Sequence, residues 1–310
     1  MGRMFSAADP FVMRAGDLYY MYTAGRVFGT FDVRVSHDLI RWSEPKLIYS
    51  ADGDTWSKDC YWAPECHCIN GMYYLFFSAN RIASSEEESF AITCVRSKTP
   101  DGMFEDYLKR PLFIADYPAI DGNILCEGGH IYLYFNRCCY KHSVNGLEES
   151  WIYVRELSQD MTHILYEPQL LLRPEQEWEG RSVPTTGRRW NEGSFIKKVD
   201  GLYYIIYSAN CYLEKHYAMG YAVSREPLGP FVKANDNPIT ACTDAITGTG
   251  HGCLVDTPEG IMAVYHGRTA ESEKKFAGGE TRVPFAAAAV IENGNMKIDY
   301  EHAKMMTEEN

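Results

Sequence analysis

The chain has 310 residues, 45% of them hydrophobic and 23% charged, the profile of a folded protein with an extensive core, which excludes a disordered or fibrous chain. Thirty Lys and Arg against 42 Asp and Glu leave a formal net charge of −12. Nucleic acid and anionic membrane, which both reward a basic surface, are therefore not the expected partners.

Taken along the chain, one hairpin recurs five times: a short apolar stretch, a turn, then a glycine leading into an aromatic run. The first copy pairs Phe11-Val12-Met13 with Gly16-Asp17-Leu18-Tyr19-Tyr20-Met21-Tyr22. The second pairs Glu65-Cys66-His67-Cys68 with Gly71-Met72-Tyr73-Tyr74-Leu75-Phe76-Phe77, and the third Asn123-Ile124-Leu125 with Gly129-His130-Ile131-Tyr132-Leu133-Tyr134-Phe135. The fourth pairs Ser194-Phe195-Ile196 with Gly201-Leu202-Tyr203-Tyr204-Ile205-Ile206-Tyr207, and the fifth Gly252-Cys253-Leu254-Val255 with Gly260-Ile261-Met262-Ala263-Val264-Tyr265. Aromatic residues, 14% of the chain, suit pleated strands. Second hairpins are expected at turns such as Ser36-His37-Asp38-Leu39 and Ser224-Arg225-Glu226-Pro227-Leu228-Gly229, and Asn293-Gly294 is a strong hairpin signal.

Helical periodicity is scarce. Five units of about four strands, spaced roughly 55 to 70 residues apart, predict an all-β, five-bladed β-propeller in one domain over residues 1–310. A two-sheet sandwich would not need five similar units. The last unit carries all its own strands, so the ring is expected to close by packing rather than by borrowing an N-terminal strand. The run Arg173 to Trp190 is an insert expected at the pocket rim. Glu86-Glu87-Glu88 reads as a solvated loop.

In a propeller the first strands line a central channel, so the residue entering each of them faces the axis. Those residues are Asp9, Glu65, Asp121, Glu192 and His251. Singly, each has a bland reading: Asp9-Pro10 and Asp121-Gly122 as turns, Glu192 as a loop charge, His251 as a buried imidazole. At equivalent sites around one channel they read together as functional. Crowded carboxylates split in proton affinity, one staying ionised and another holding its proton. Glycosidic cleavage needs that pairing: an acid for the leaving oxygen and a base for water.

These residues, in their motifs, resemble glycoside hydrolase family 43. The resemblance rests on Ala8-Asp9-Pro10, Tyr61-Trp62-Ala63-Pro64-Glu65, Ile120-Asp121-Gly122, Asn191-Glu192-Gly193 and Gly248-Thr249-Gly250-His251. It implies a five-bladed propeller, with Asp9 as general base, Glu192 as general acid, and Asp121 as the carboxylate that tunes and orients the acid. It further implies a substrate contact for Trp62, Glu65 and Arg268, and a place for His251 beside a channel metal ion, often calcium. No cofactor is required for the chemistry. The segment after Asp121-Gly122 lacks the acidic turn that many members carry.

The expected activity is inverting, exo-acting hydrolysis of small pentose-containing oligosaccharides, with α-L-arabinofuranosidase first and β-D-xylosidase or endo-arabinanase next. A glycoside phosphorylase would need a basic phosphate pocket, for which Arg188-Arg189 and Lys197-Lys198 are the available pairs. A non-catalytic sugar-binding propeller should have lost a carboxylate. Cys66-His67-Cys68 and Cys138-Cys139 lack zinc-site partners at the right spacing. With no membrane span, signal peptide or Asn-x-Ser/Thr acceptor read in the sequence, the ten cysteines are expected to be reduced in a cytoplasmic protein.

Overall fold

The computed structural model describes residues 2–53, 55–82 and 89–309; the Glu86-Glu87-Glu88 run lies outside them. The architecture is all-β. Each unit is an antiparallel meander whose sheet order follows chain order. The first comprises Phe11–Ala15, Leu18–Ala24, Thr30–Ser36 and Lys46–Ser50, and the second Asp59–Ile69, Met72–Asn80 and Phe90–Ser97. The third comprises Ala119–Glu127, His130–Arg137, Leu147–Leu157 and Gln169–Leu172, and the fourth Arg188–Val199, Leu202–Ala209, Ala218–Ser224 and Val232–Lys233. The fifth comprises Thr247–Thr257, Gly260–Arg268, Val283–Glu292 and Asn295–Ile298. Among the described residues no helix is long and apolar enough to cross a membrane.

The aromatic second strands are covered on both faces, which is why their sequences run apolar without alternation. Tyr22, Phe76, Phe77, Tyr134, Phe135, Tyr204, Tyr207 and Tyr265 are all fully buried. A buried phenol needs a partner. Tyr22 of the first unit donates to the Pro100 carbonyl of the second, at 2.8 Å. Tyr134 of the third unit donates to the Pro227 carbonyl of the fourth, at 2.7 Å. The same side chains thus fill one unit and tie it to the next.

First strands pack in sequence: Phe11–Ala15 on Asp59–Ile69, then Ala119–Glu127, Arg188–Val199 and Thr247–Thr257, which returns to Phe11–Ala15. All five also contribute to one cavity of about 380 Å³, through Met13, Cys68, Cys126, Phe195 and Val255 among others.

The last unit does carry its own strands, as expected, yet packing alone does not join the ends. Arg3–Met4 pairs antiparallel with Thr307–Glu308, which runs parallel to Arg41–Trp42. This small sheet binds both termini to the first unit. Glu308, 1% exposed, accepts from Arg34 at 2.6 Å and also pairs with Arg3.

Candidate active site

The site begins as a backbone irregularity repeated in each unit. Asp9, Ala63, Asp121, Gly193 and His251 have φ of 47°, 46°, 56°, 56° and 48°. In the last four the ladder register slips at that point, between Trp62 and Glu65, Ile120 and Asn123, Glu192 and Phe195, and Gly250 and Cys253. Such bulges leave a residue unpaired and re-aim side chains. Left-handed backbone at non-glycine residues costs on the order of 1 kcal/mol or more and persists only where surroundings enforce it. At Gly193 the surroundings forbid a side chain as well: a Cβ there would stand 2.9 Å from His251 Cγ.

This register corrects the sequence reading of the second unit. The position equivalent to Asp9, Asp121 and His251 is Ala63 in the second unit and Gly193 in the fourth, so Glu192 stands one residue before it, level with Trp62. Glu65 lies two residues beyond Ala63, equivalent to Asn123, and the two are bonded: Asn123 Nδ2 donates to Glu65 Oε2 at 2.6 Å. Glu65 is buried, 3.3 Å from His67 Nε2, and does not line the cavity that holds Asp9. Its Oε2 is thus taken by Asn123 and His67.

The amides freed by the bulges are taken by polar groups. Asp121 N donates to Ser78 Oγ at 3.0 Å, and His251 N to Ser208 Oγ at 2.7 Å. Asp9 N donates to His266 Nδ1 at 3.2 Å, and Gly193 N to Asp121 Oδ2 at 3.2 Å. Asn136 Nδ2 donates to the same Asp121 oxygen at 2.9 Å. Ser78, Asn136, Ser208 and His266 are all fully buried. They occupy one repeat position, the polar residue closing each aromatic run: Phe77-Ser78, Phe135-Asn136, Tyr207-Ser208, Tyr265-His266. Sequence reasoning missed them, although that pairing was the signal.

Asp9, Asp121 and Glu192 come together electrostatically but are held differently. Asp9 Oδ1 lies 3.1 Å from Arg282 Nη1 and 3.3 Å from the Nδ1 atoms of His251 and His266. Burial alone would raise its proton affinity; His251 and Arg282 outweigh it and hold Asp9 well below the usual carboxylate range. Asp121 goes the other way, up to about 6, through burial first and then the Asp9 and Glu65 charges, against relief from His251 and the Gly193 N–H. Glu192 is pushed well above its ordinary value by burial and by the Asp121 charge. Tyr217 donates to Glu192 Oε1 at 2.9 Å. The Tyr217 ring is stacked on His266, centroids 5.6 Å apart and planes within 8°. His266 touches Asp9, and Tyr217 touches Glu192. His266 is held down to about 4, burial being the largest cause, so it is a neutral acceptor for the Asp9 amide.

A cavity of about 830 Å³ opens on Asp9 and is walled by Trp62, Phe28, Arg282 and Arg26 among others. Trp62, expected to contact substrate, lines this cavity and packs on buried Phe90 with ring centroids 4.4 Å apart. Arg268 does not line the cavity, and neither do Asp121, Glu192 or His251. Arg268 is 7% exposed, and its Nη2 donates to the Glu214 carbonyl at 3.0 Å. The cation at the site is Arg282, gripped by Glu280 at 2.6 Å and covered by Tyr212 at 4.7 Å. The insert from Arg173 to Trp190 is not part of this wall; it sends Trp178 and Glu179 into the core instead.

The site does not fit a directly ligated metal. Among the described residues no three His, Cys, Asp or Glu side chains gather as a metal-holding group, and His251 turns its Nδ1 to Asp9. The basic pairs are likewise spent. Arg188 meets Glu148 at 2.6 Å, Arg189 meets Glu149, Lys197 meets Asp256 at 2.7 Å and Lys198 meets Glu127 at 2.6 Å. They do not build a phosphate pocket.

Comparison with known proteins places this geometry. A β-D-galactofuranosidase of Aspergillus niger is 28% identical over 271 residues, covering 81% of this chain and 70% of that one. An extracellular exo-α-(1→5)-L-arabinofuranosidase of Streptomyces chartreusis is 27% identical, covering 84% and 80%. The crystal structure of a thermostable family-43 glycoside hydrolase superposes with a TM-score of 0.84 at 32% identity, over 95% of this chain and 93% of that one. An endo-1,4-β-xylanase of Bacteroides thetaiotaomicron superposes with a TM-score of 0.83 at 29% identity, over 99% and 98%. The model of the glycosyl hydrolases family 43 matches residues 4–289, a span that contains all three carboxylates, and the chain is a member of that family.

Proposed function

We propose that the protein is an exo-acting, inverting α-L-arabinofuranosidase working on short pentose-containing oligosaccharides. In this reading the five units close into a five-bladed propeller, which the cyclic packing of the first strands supports. Asp9, ionised beside Arg282 and His251, takes a proton from the attacking water. Glu192 keeps its proton near neutral pH and gives it to the leaving oxygen. Asp121 keeps the Glu192 proton affinity high and holds Gly193, so the acid stays in place. The observation that carries the reading is the opposed surroundings of the two carboxyls: Asp9 lies against the Arg282 guanidinium and two imidazoles, while Glu192 has the Tyr217 hydroxyl and no cation against it among the described residues.

Both curated relatives above are named for furanosides, which favours a five-membered ring over xylopyranose. A phosphorylase finds no free cation in the basic pairs. A cytoplasmic setting suits ten cysteines among which no disulfide is formed. The test is release of nitrophenol from 4-nitrophenyl α-L-arabinofuranoside, β-D-galactofuranoside and β-D-xylopyranoside. Arabinofuranoside should be cleaved fastest; Asp9→Asn should cut that turnover by about 10²–10⁴-fold, and Glu192→Gln should do so on arabino-oligosaccharides, whose leaving oxygen needs the proton. Absence of turnover on these substrates and on arabino-oligosaccharides would remove the proposal.

A further inference from the structure

The insert between the third and fourth units contributes Glu179 to a buried ion pair with Lys233, on the last strand of the fourth unit. Glu179 is 0% exposed and the Lys233 side chain 7%. Burying two charges costs several kcal/mol each unless partners satisfy them. Here the partners are numerous. Glu179 Oε2 accepts from the Glu175 and Gln176 amides at 2.6 and 2.7 Å. Its Oε1 accepts from Tyr207 at 2.8 Å and pairs with Lys233.

The pair converges on one further side chain. Asn191, fully buried, donates from Nδ2 to Glu179 Oε1 at 3.2 Å. Its Oδ1 accepts from Lys233 Nζ at 2.7 Å. The anion thus holds the amide nitrogen and the cation holds the amide oxygen. Asn191 immediately precedes Glu192, at the point where the strand loses its register. A bulge forfeits ladder bonds that would otherwise fix side-chain direction. On the far side, Gly193 N is bonded to Asp121. Glu192 therefore sits between two anchored neighbours, one tied to the site and one to the buried pair.

We infer that Glu179 and Lys233 are positioning residues for Glu192, acting through Asn191 to aim its carboxyl at the leaving oxygen. The inference rests on the reading of Glu192 as the acid. A positioning role differs from a purely structural one in its dependence on the leaving group. A well-aimed acid matters most when the departing oxygen is basic and needs a proton, and least when it leaves unaided.

The experiment compares kcat/KM on 2,4-dinitrophenyl and phenyl α-L-arabinofuranosides for the wild type, Glu192→Gln, Glu179→Gln and the doubly neutral Glu179→Gln/Lys233→Met. The double variant removes both charges at once and so keeps the test open if the single one does not fold, because a buried pair replaced by neutral groups is often tolerated. The folded variant should lose about 10–100-fold on the phenyl substrate and no more than about 3-fold on the dinitrophenyl one, part of the 10²–10⁴ an acid supplies. Glu192→Gln should show the same asymmetry, more strongly. If Glu192→Gln shows it and the folded Glu179 variant loses activity equally on both substrates, or not at all, the positioning inference is overturned alone. If Glu192→Gln lacks the asymmetry, the acid assignment falls and the inference with it.

Discussion

Replacing Asp121 with Asn should stabilise the protein increasingly as pH rises, while removing its turnover. Asp121 is 4% exposed, and its carboxyl moves from an ordinary 3.8 up to about 6 in the fold. At about 1.4 kcal/mol per pH unit, that corresponds to about 3 kcal/mol. Folding raises this pKa, so between about pH 4 and pH 6 the native state holds more proton than the unfolded chain. Stability then falls as pH climbs through that window, and the full contribution is present only below it. Asn cannot ionise, and its carbonyl oxygen can still accept from Asn136 and Gly193. The stability of the Asn variant minus that of the wild type should therefore grow by up to about 3 kcal/mol between about pH 4 and pH 7.5. Urea unfolding of both proteins at several pH values and constant ionic strength measures it. A difference that stays flat with pH, or shrinks, refutes the electrostatic account of the site.

Other perturbations separate the remaining parts. Arg282→Gln removes the guanidinium 3.1 Å from Asp9, so the acid limb of the kcat/KM profile should move up by about one to three pH units with the alkaline limb in place. Gly193→Ala forces a Cβ to 2.9 Å from His251 Cγ at a φ of 56°; kcat on arabinofuranoside should fall by at least about 10-fold through misplacement of Glu192. Glu308→Ala leaves Arg34 buried without its carboxylate, and denaturant unfolding should show a loss of about 3–5 kcal/mol.

Much of this was legible in the sequence because the repeat is strong. The glycine-led aromatic runs located every second strand, and the entrances Asp9 and Asp121 fell at the same left-handed position, with Glu192 one residue before it. What misled was counting positions without the bulge. Glu65 follows a left-handed Ala63, and a slip of two residues carried it from the site level to a bond with Asn123. Arg268 stood in a suggestive motif, but Gly248 admits it to a buried place, since a Cβ there would meet Arg268 Nη2 at 2.6 Å. Arg282 lies outside any hairpin repeat and reaches Asp9 only through the closing of the fifth unit on the first. The terminal sheet was illegible because two-residue strands have no periodicity to read.

The account rests on Asp9 serving a water and Glu192 serving the leaving group from opposite sides of one sugar. Proton NMR of the reaction mixture, recorded before mutarotation, reads the first anomer released from an α-L-arabinofuranoside. The account predicts β-arabinose first. Initial release of the α-anomer would mean a covalent intermediate on a carboxylate, and would contradict it.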